Sequence, residues 1–541
     1  MRALVVKGDW WLPGKKDQKI RGELHFSEEE GPRLTLDSCG NVMPNETDII
    51  LGLTDNKEKI TLYDCYMQWP GSSNDEYESE YMFRGVHFED IPHFSRIEFQ
   101  SEILSQWVNI DGFTHRNDVA LRPNESAIFY KKPEDIILCK WDGCTYSLVF
   151  KLIQTTTGGP DRKQEFQQKV YFRLDFEEEV ILSSVERLTR ALMNMLTFTA
   201  DRPVYSSEMI GYSSVTGKAP IEIYLKQHVK SHLTREKLRP RLLFQLTDTR
   251  DQAPEFLEKW MELSLGPLSP FTNNYIAEKY IPLGFVERGF LEYVRCLEVY
   301  HRKTSERKAI PKEEFERRCQ LIVREIRESK IKRWVKGKLK HADELTLQDR
   351  LQEITGKYRY NIELFSDRAV QDFCKRIADE RHYLTHFEEK KDQERLTLIE
   401  MIELTDQMKK LIDICILTSL GFDQDFIDTL FYYEIPFDYK IMAVRNYIDS
   451  KKSGIEQDLS ELKEDAEYLL MHCTNGTNVL LTLCNRPNKI EKYKANIVVL
   501  ESIGILKRTV EAGRERYMIR EEYEKYVYEY YREKKKKEER R

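Results

Sequence analysis

The sequence predicts an α+β multidomain chain: a β-rich N-terminal domain, an all-α helical bundle and a small C-terminal winged-helix-like module with a basic tail. Three observations carry this. Short apolar segments punctuated by Gly, Pro, Asn and Asp fill about the first 200 residues. The apolar period turns helical from about Glu255 onward. Near the end, short helical patterns give way to a hairpin pattern. The expected boundaries are 1–240, 241–455 and 456–541.

Composition narrows the classes. At roughly 150 residues per domain, 541 residues suggest about three or four domains. Lys and Arg number 85 against 92 Asp and Glu, a net charge of −7, which excludes a uniformly cationic nucleic-acid coat but not a local basic patch. With 29 Tyr and 25 Phe, large-scale disorder is not expected. No apolar run approaches the roughly 18–20 residues of a membrane span. The N-terminus breaks into charge after about four apolar residues, short of a signal-peptide core of about 7–15. A cytoplasmic protein with reduced thiols and no membrane partner is the expectation. The ten cysteines are dispersed and none forms C-x-x-C, so no zinc ribbon, dithiol site or other cofactor is expected.

In the β-rich part, Gly22-Glu-Leu-His-Phe, Arg33-Leu-Thr-Leu, Ile49-Ile-Leu-Gly-Leu, Ile60-Thr-Leu-Tyr and Tyr146-Ser-Leu-Val-Phe-Lys-Leu read as strands. Glu177-Glu-Glu-Val-Ile-Leu opens a helical pattern that runs to Leu196, its acids suited to the positive end of a helix dipole. Further on, Phe290, Tyr293, Val294 and Leu297 share one helical face, as do Val370, Phe373, Cys374 and Ile377. Phe315, Cys319, Ile322 and Ile326 keep such a stripe on a charged helix, and Leu396–Leu420 reads as a long helix stopped by Gly421. Helices around 459–473, 477–484 and 490–502 precede a hairpin with Gly513 in its turn, hence the winged-helix-like reading. The Tyr-rich run from Tyr523 to Tyr531 fits a packed terminal helix.

The chemistry-bearing stretch is Phe373-Cys-Lys-Arg-Ile-Ala-Asp-Glu-Arg-His-Tyr-Leu-Thr-His-Phe. Arg381 follows Val370 by eleven residues, which at about 100° each return it to within roughly 20° of the apolar stripe. A guanidinium there needs an anionic partner, either a carboxylate of the chain or a phosphate ligand. An Arg that snorkels past the stripe, or a structural ion pair, is the plainer alternative. His386 lies about 140° round an ideal helix from Arg381. The two converge only if the helix ends between them or a second copy of the segment faces the first.

Arg381-His-Tyr-Leu-Thr-His386 resembles the R-x4-6-H signature of HEPN domains, including the polar residue, here His382, that follows the Arg. Phe290-Leu-Glu-Tyr-Val-Arg-Cys-Leu-Glu-Val-Tyr-His-Arg-Lys resembles an early helix of the ApeA-like HEPN bundle. Ser95-Arg-Ile-Glu-Phe followed by Ile103-Leu-Ser-Gln-Trp-Val-Asn-Ile-Asp-Gly-Phe resembles the β-rich domain that precedes HEPN in ApeA anti-phage defence proteins. The resemblance covers the first two regions and leaves 456–541 outside. It implies a metal-independent endoribonuclease acting by 2′-hydroxyl attack in abortive infection, with RNA, tRNA among the candidates, as substrate. It also implies a homodimer or higher homo-oligomer with a composite site, and a phage-derived trigger. Arg381 and His386 are then catalytic, His382 orients the phosphate or partner motif, and Glu298 pairs with Arg381 from a facing helix.

Weaker signals complete the reading. Lys330-Ile-Lys-Arg-Trp-Val-Lys-Gly-Lys-Leu-Lys-His is the densest basic stretch. Lys332, Arg333, Trp334 and Lys336, with Arg376, are candidate RNA contacts, because single-stranded RNA offers phosphates and stackable bases. A solvated helix anchored by a buried Trp is the alternative. His228 and His232 have clip spacing but no third ligand nearby, so no metal site is expected. The competing function is a non-catalytic nucleic-acid-binding regulator, built on the winged-helix-like end with a degenerate HEPN bundle for dimerisation.

Overall fold

A computed structural model describes residues 4–37, 43–70, 74–114, 128–157, 163–217, 219–226, 242–281, 285–340, 342–362, 364, 366–386, 395–424, 426, 427, 430, 506–511 and 514–519. The chain divides into two compact units, Met1–Leu265 and Gly266–Arg541.

The first unit begins with six antiparallel strands, β1 (Leu4–Trp11), β2 (Ile20–Ser27), β3 (Gly31–Leu36), β4 (Glu46–Thr54), β5 (Lys59–Pro70) and β6 (Asp75–Arg84). They pair in the order β6-β3-β2-β1-β4-β5, and β5 returns to β6 with Leu62 opposite Met82, closing a barrel without free edges. Alternation turns Trp10, Leu24, Phe26, Leu34, Ile50, Ile60 and Leu62 inward. Gly52 sits opposite Trp10 across the β1–β4 pair, and a Cβ there would lie 2.2 Å from the indole. Only glycine lets that ring lie flat on the strand.

The sheet continues outward from β6. Its strands are β7 (His93–Ser101), a small β8–β9 pair (Phe113–Thr114, Phe129–Tyr130) set apart from it, β10 (Ile136–Trp141), β11 (Cys144–Thr157), β12 (Lys163–Ile181), β13 (Ser206–Tyr212) and β14 (Ile221–Leu225), ordered β10-β11-β12-β7-β13-β14-β6. Helix α1 (Leu104–Val108) buries Trp107 beside Phe172. Helix α2 (Leu182–Ala200) packs on β7 and β12, and α3 (Ala253–Leu265) on α2 and β10. The Trp260 indole of α3 donates to the Ala191 carbonyl at 2.8 Å. The stretch 242–265, read with the helical region from sequence, thus belongs to the first unit.

One helix begins later than its acids suggest. Glu177–Ile181 stays in β12, with Val180 opposite Phe94 and Ile181 opposite His93. Glu179 accepts from the Ser214 amide and hydroxyl at 2.6 and 2.8 Å. Strand pairing and a side-chain acceptor role outweigh the dipole preference, and α2 has no acid in its first turn.

The second unit is helical: α4 (Ser269–Tyr280), α5 (Val286–Thr304), α6 (Lys312–Glu325), α7 (Ser329–Leu339), α8 (Leu347–Tyr358), α9 (Asp367–His386) and α10 (Leu398–Ser419). Helix α5 is central, packing against α4, α8, α9 and α10 through Phe290, Val294 and Leu297. Its end is pinned to α8 by buried His301, whose Nε2 lies 2.7 Å from Glu353 and whose Nδ1 lies 3.4 Å from Arg350. Thr397 and Glu400 form a reciprocal cap at the start of α10, and Gly421 takes φ +87° just past its end. Helices α6 and α7 contribute no buried residue. The stripe expected on α6 is therefore not core: Leu321 and Ile322 are exposed, and Ile326 already lies in extended backbone.

Two further strands, β15 (Leu506–Glu511) and β16 (Arg514–Ile519), form the expected C-terminal hairpin. The helices of the winged-helix-like module, the Tyr523–Tyr531 run, and His228 and His232 lie outside the described residues. Among the described residues no helix is long and apolar enough to cross a membrane.

Candidate active site

Helix α9 positions the R-x4-H residues. Its first three turns are fixed by Val370, Phe373, Cys374 and Ile377, all buried, with the Cys374 thiol 3.7 Å from Thr355 Oγ1 of α8. Burial pushes that thiol up to about 12, so it is an inert part of the packing. The helix then runs unbroken through Arg381 to His386. It does not end between them, so within one chain their side chains stay about 140° apart. What the fold brings together instead is His382 and His386, one turn apart with ring centroids separated by 4.7 Å.

The buried polar group in these last turns is Glu380, 3% exposed, and not Arg381, which is half-buried. On an ideal wheel Arg381 lies nearer the stripe. The incoming α10 decides otherwise, because it brings donors to the Glu380 flank. The Leu396 amide donates to Glu380 Oε2 at 3.1 Å, Arg395 Nη2 lies 3.4 Å from Oε1, and the Arg395 guanidinium lies over the Tyr383 ring at 4.2 Å. A buried carboxylate is tolerable where such donors meet it. Among the described residues no acid pairs with the Arg381 guanidinium, while its carbonyl accepts from Thr385.

Two family models match the chain. One, the ApeA N-terminal domain 1, covers residues 5–260. The other, the Apea-like HEPN, covers 291–426 and contains α9 with its Arg381 and His386. The chain belongs to the ApeA-like HEPN proteins. No curated protein and no solved structure matches it.

Within this ApeA-like HEPN segment, the supporting residues are placed differently from expectation. Glu298 does not reach Arg381; it accepts from Arg302 on its own helix at 3.0 Å, an i,i+4 pair. Arg376 pairs with Glu400 at 2.9 Å, and Glu400 also closes the α10 cap, so Arg376 braces the α9–α10 joint. Lys332, Arg333, Trp334 and Lys336 all lie on α7, where Trp334 is 64% exposed, so it anchors no core. Among the described residues no group of three or more His, Cys, Asp or Glu could hold a metal.

Sequence reasoning did not single out Glu380, Tyr383 or Arg395. The available signal was an acid directly before the motif Arg, on the edge of an apolar stripe.

Proposed function

We propose that this ApeA-like HEPN protein is a metal-independent endoribonuclease acting in anti-phage defence by abortive infection. RNA carries its own nucleophile, the 2′-hydroxyl, so the protein's task is proton transfer and charge stabilisation. His386 takes or gives the proton, since an imidazole ordinarily titrates near neutral pH. Arg381 meets the non-bridging oxygens as a permanent cation with a planar donor fork. Attack of the 2′-oxygen on phosphorus expels the 5′-oxygen, leaving a 2′,3′-cyclic phosphate and a 5′-hydroxyl. His382, beside His386, orients the phosphate. The 140° separation calls for two copies, Arg381 from one completing His386 of the other. The β-rich unit senses a phage-derived trigger or restrains the nuclease, and the substrate is RNA, with tRNA among the candidates.

The observation that carries this reading is the intact pair on one unbroken helix, with a guanidinium that no described acid neutralises. The separation of the two groups within one chain favours the second reading, a non-catalytic nucleic-acid-binding regulator using a degenerate bundle to dimerise. Expression of wild type and His386→Ala side by side, with the trigger supplied, decides between them. The nuclease fragments RNA in the presence of a chelator and the variant does not; equal RNA integrity in both, with the trigger present, overturns the nuclease and favours the regulator.

A further inference from the structure

Around α9, at about 100° per residue, His382 lies roughly 40° to one side of His386 and Tyr383 roughly 60° to the other. Arg381 lies beyond His382, and Glu380 beyond Tyr383. The Arg395 guanidinium, over Tyr383 and beside Glu380, therefore stands on the flank of the imidazole pair opposite Arg381. We propose that Arg395 is a second phosphate-binding cation of the site and Glu380 its positioning residue, an inference that rests on the nuclease reading.

The geometry suits that task. Stacking on Tyr383 fixes the plane of the guanidinium, and Glu380 fixes its edge. The contact with Glu380, 3.4 Å, is long for a charge-assisted hydrogen bond, which is about 2.7–2.9 Å. One edge is thus loosely held and the remaining donors of the five-donor fork stay available, with the side chain 36% exposed. Glu380 also accepts from the Leu396 amide, fixing the residue next to Arg395 in the chain. The acid therefore fixes both the backbone and the charge of its partner. A pre-oriented fork loses less freedom on meeting phosphate than a free surface Arg does.

The test is RNA binding by the full chain carrying His386→Ala, with a fluorescently labelled, 2′-O-methylated single-stranded RNA that cannot be cut. Dissociation constants are measured between 50 and 200 mM salt. Loss of one phosphate contact flattens the slope of log K against log salt by about 0.7 for single strands. Arg395→Gln, which keeps a flat group over Tyr383 without the charge, is expected to weaken binding about tenfold at the low-salt end and to flatten the slope by that amount. Arg395→Lys keeps the slope. Glu380→Gln keeps the slope but weakens binding severalfold, because the charge remains and its placement is lost, and it reads the proposal independently should Arg395→Gln not fold. Unchanged affinity and slope in Arg395→Gln, or unchanged affinity in Glu380→Gln, overturn this inference and leave the nuclease reading standing. Absence of RNA binding by the parent at every salt concentration overturns both.

Discussion

His382 and His386 meet ring to ring on one side of α9 at 4.7 Å, while Arg381 of the same helix faces elsewhere. If two copies complete each site, Arg381→Ala and His386→Ala are each inactive alone, yet their mixture is active. In a mixed dimer the Arg of one copy meets the His of the other, restoring one site of two. With half of the dimers mixed, about a quarter of wild-type cleavage returns for a two-fold assembly. Cleavage of labelled RNA after co-refolding or co-expression measures it; a mixture as inactive as its components would place Arg381 and His386 in a single-chain site or in none.

The barrel makes a separate prediction. A Cβ on residue 52 would meet Trp10 Cζ3 at 2.2 Å, and the ring, fully buried, has nowhere to go. Gly52→Ala is expected to cost about 1–3 kcal/mol through overpacking. Urea unfolding followed by Trp fluorescence reads the loss. Adding Trp10→Leu to Gly52→Ala vacates the colliding ring, so the double variant is less destabilised than the sum of the two single changes.

Glu98 gives the first unit an acid sensitivity. Its carboxylate is 2% exposed on β7, with Lys151 Nζ at 2.5 Å and Arg173 Nε at 2.8 Å. Burial by itself would raise its pKa, but Lys151 and Arg173 outweigh burial and hold it below the usual carboxylate value. A carboxyl depressed in the folded state contributes stability above its unfolded pKa and loses it as pH falls through the folded value. Thermal unfolding is expected to shift downward below about pH 4.5, where this contribution, about 1–3 kcal/mol, disappears. Glu98→Gln should remove it at neutral pH and flatten the profile in that window; an unaltered slope would assign the acid sensitivity to other groups.

The strands of the barrel were readable because period-2 alternation and burial coincide: Gly22–Phe26, Arg33–Leu36, Ile49–Leu53 and Ile60–Tyr63 all fall within β2 to β5. The start of α2 was not, because cross-strand partners at Phe94 and His93, far away in sequence, hold Val180 and Ile181 extended. The site was legible to the same degree. Spacing alone separated Arg381 from His386. It could not tell that α10 would arrive on the Glu380 side of α9, since that depends on Arg395 and Leu396 and not on any period within α9. Helix α3 carries an ordinary apolar stripe, and nothing in that stripe says that Trp260 packs on Ala191 and Phe198 of the β-rich unit.

Trp334 offers the sharpest division between a structural and a recognition role. It stands 64% exposed in the middle of α7, among Lys330, Lys332, Arg333, Lys336 and Lys338, on a helix that buries nothing. A Trp that stabilises a fold does so by losing its surface to neighbours, and this one has kept most of it. Trp334→Ala is therefore expected to leave stability within about 0.5 kcal/mol of wild type, as surface changes do. Stacking of a base on an exposed aromatic contributes about 1–3 kcal/mol, so the same change should weaken binding of single-stranded RNA by about five- to 150-fold if α7 meets the substrate. Replacing Lys332 and Lys336 together by Gln should weaken it differently, by flattening the salt dependence by about 1.4 for two lost phosphate contacts on a single strand. Fluorescence anisotropy with labelled RNA and a thermal melt of each variant separate the cases. A marked fall in melting temperature for Trp334→Ala with RNA affinity unchanged would return α7 to the scaffold.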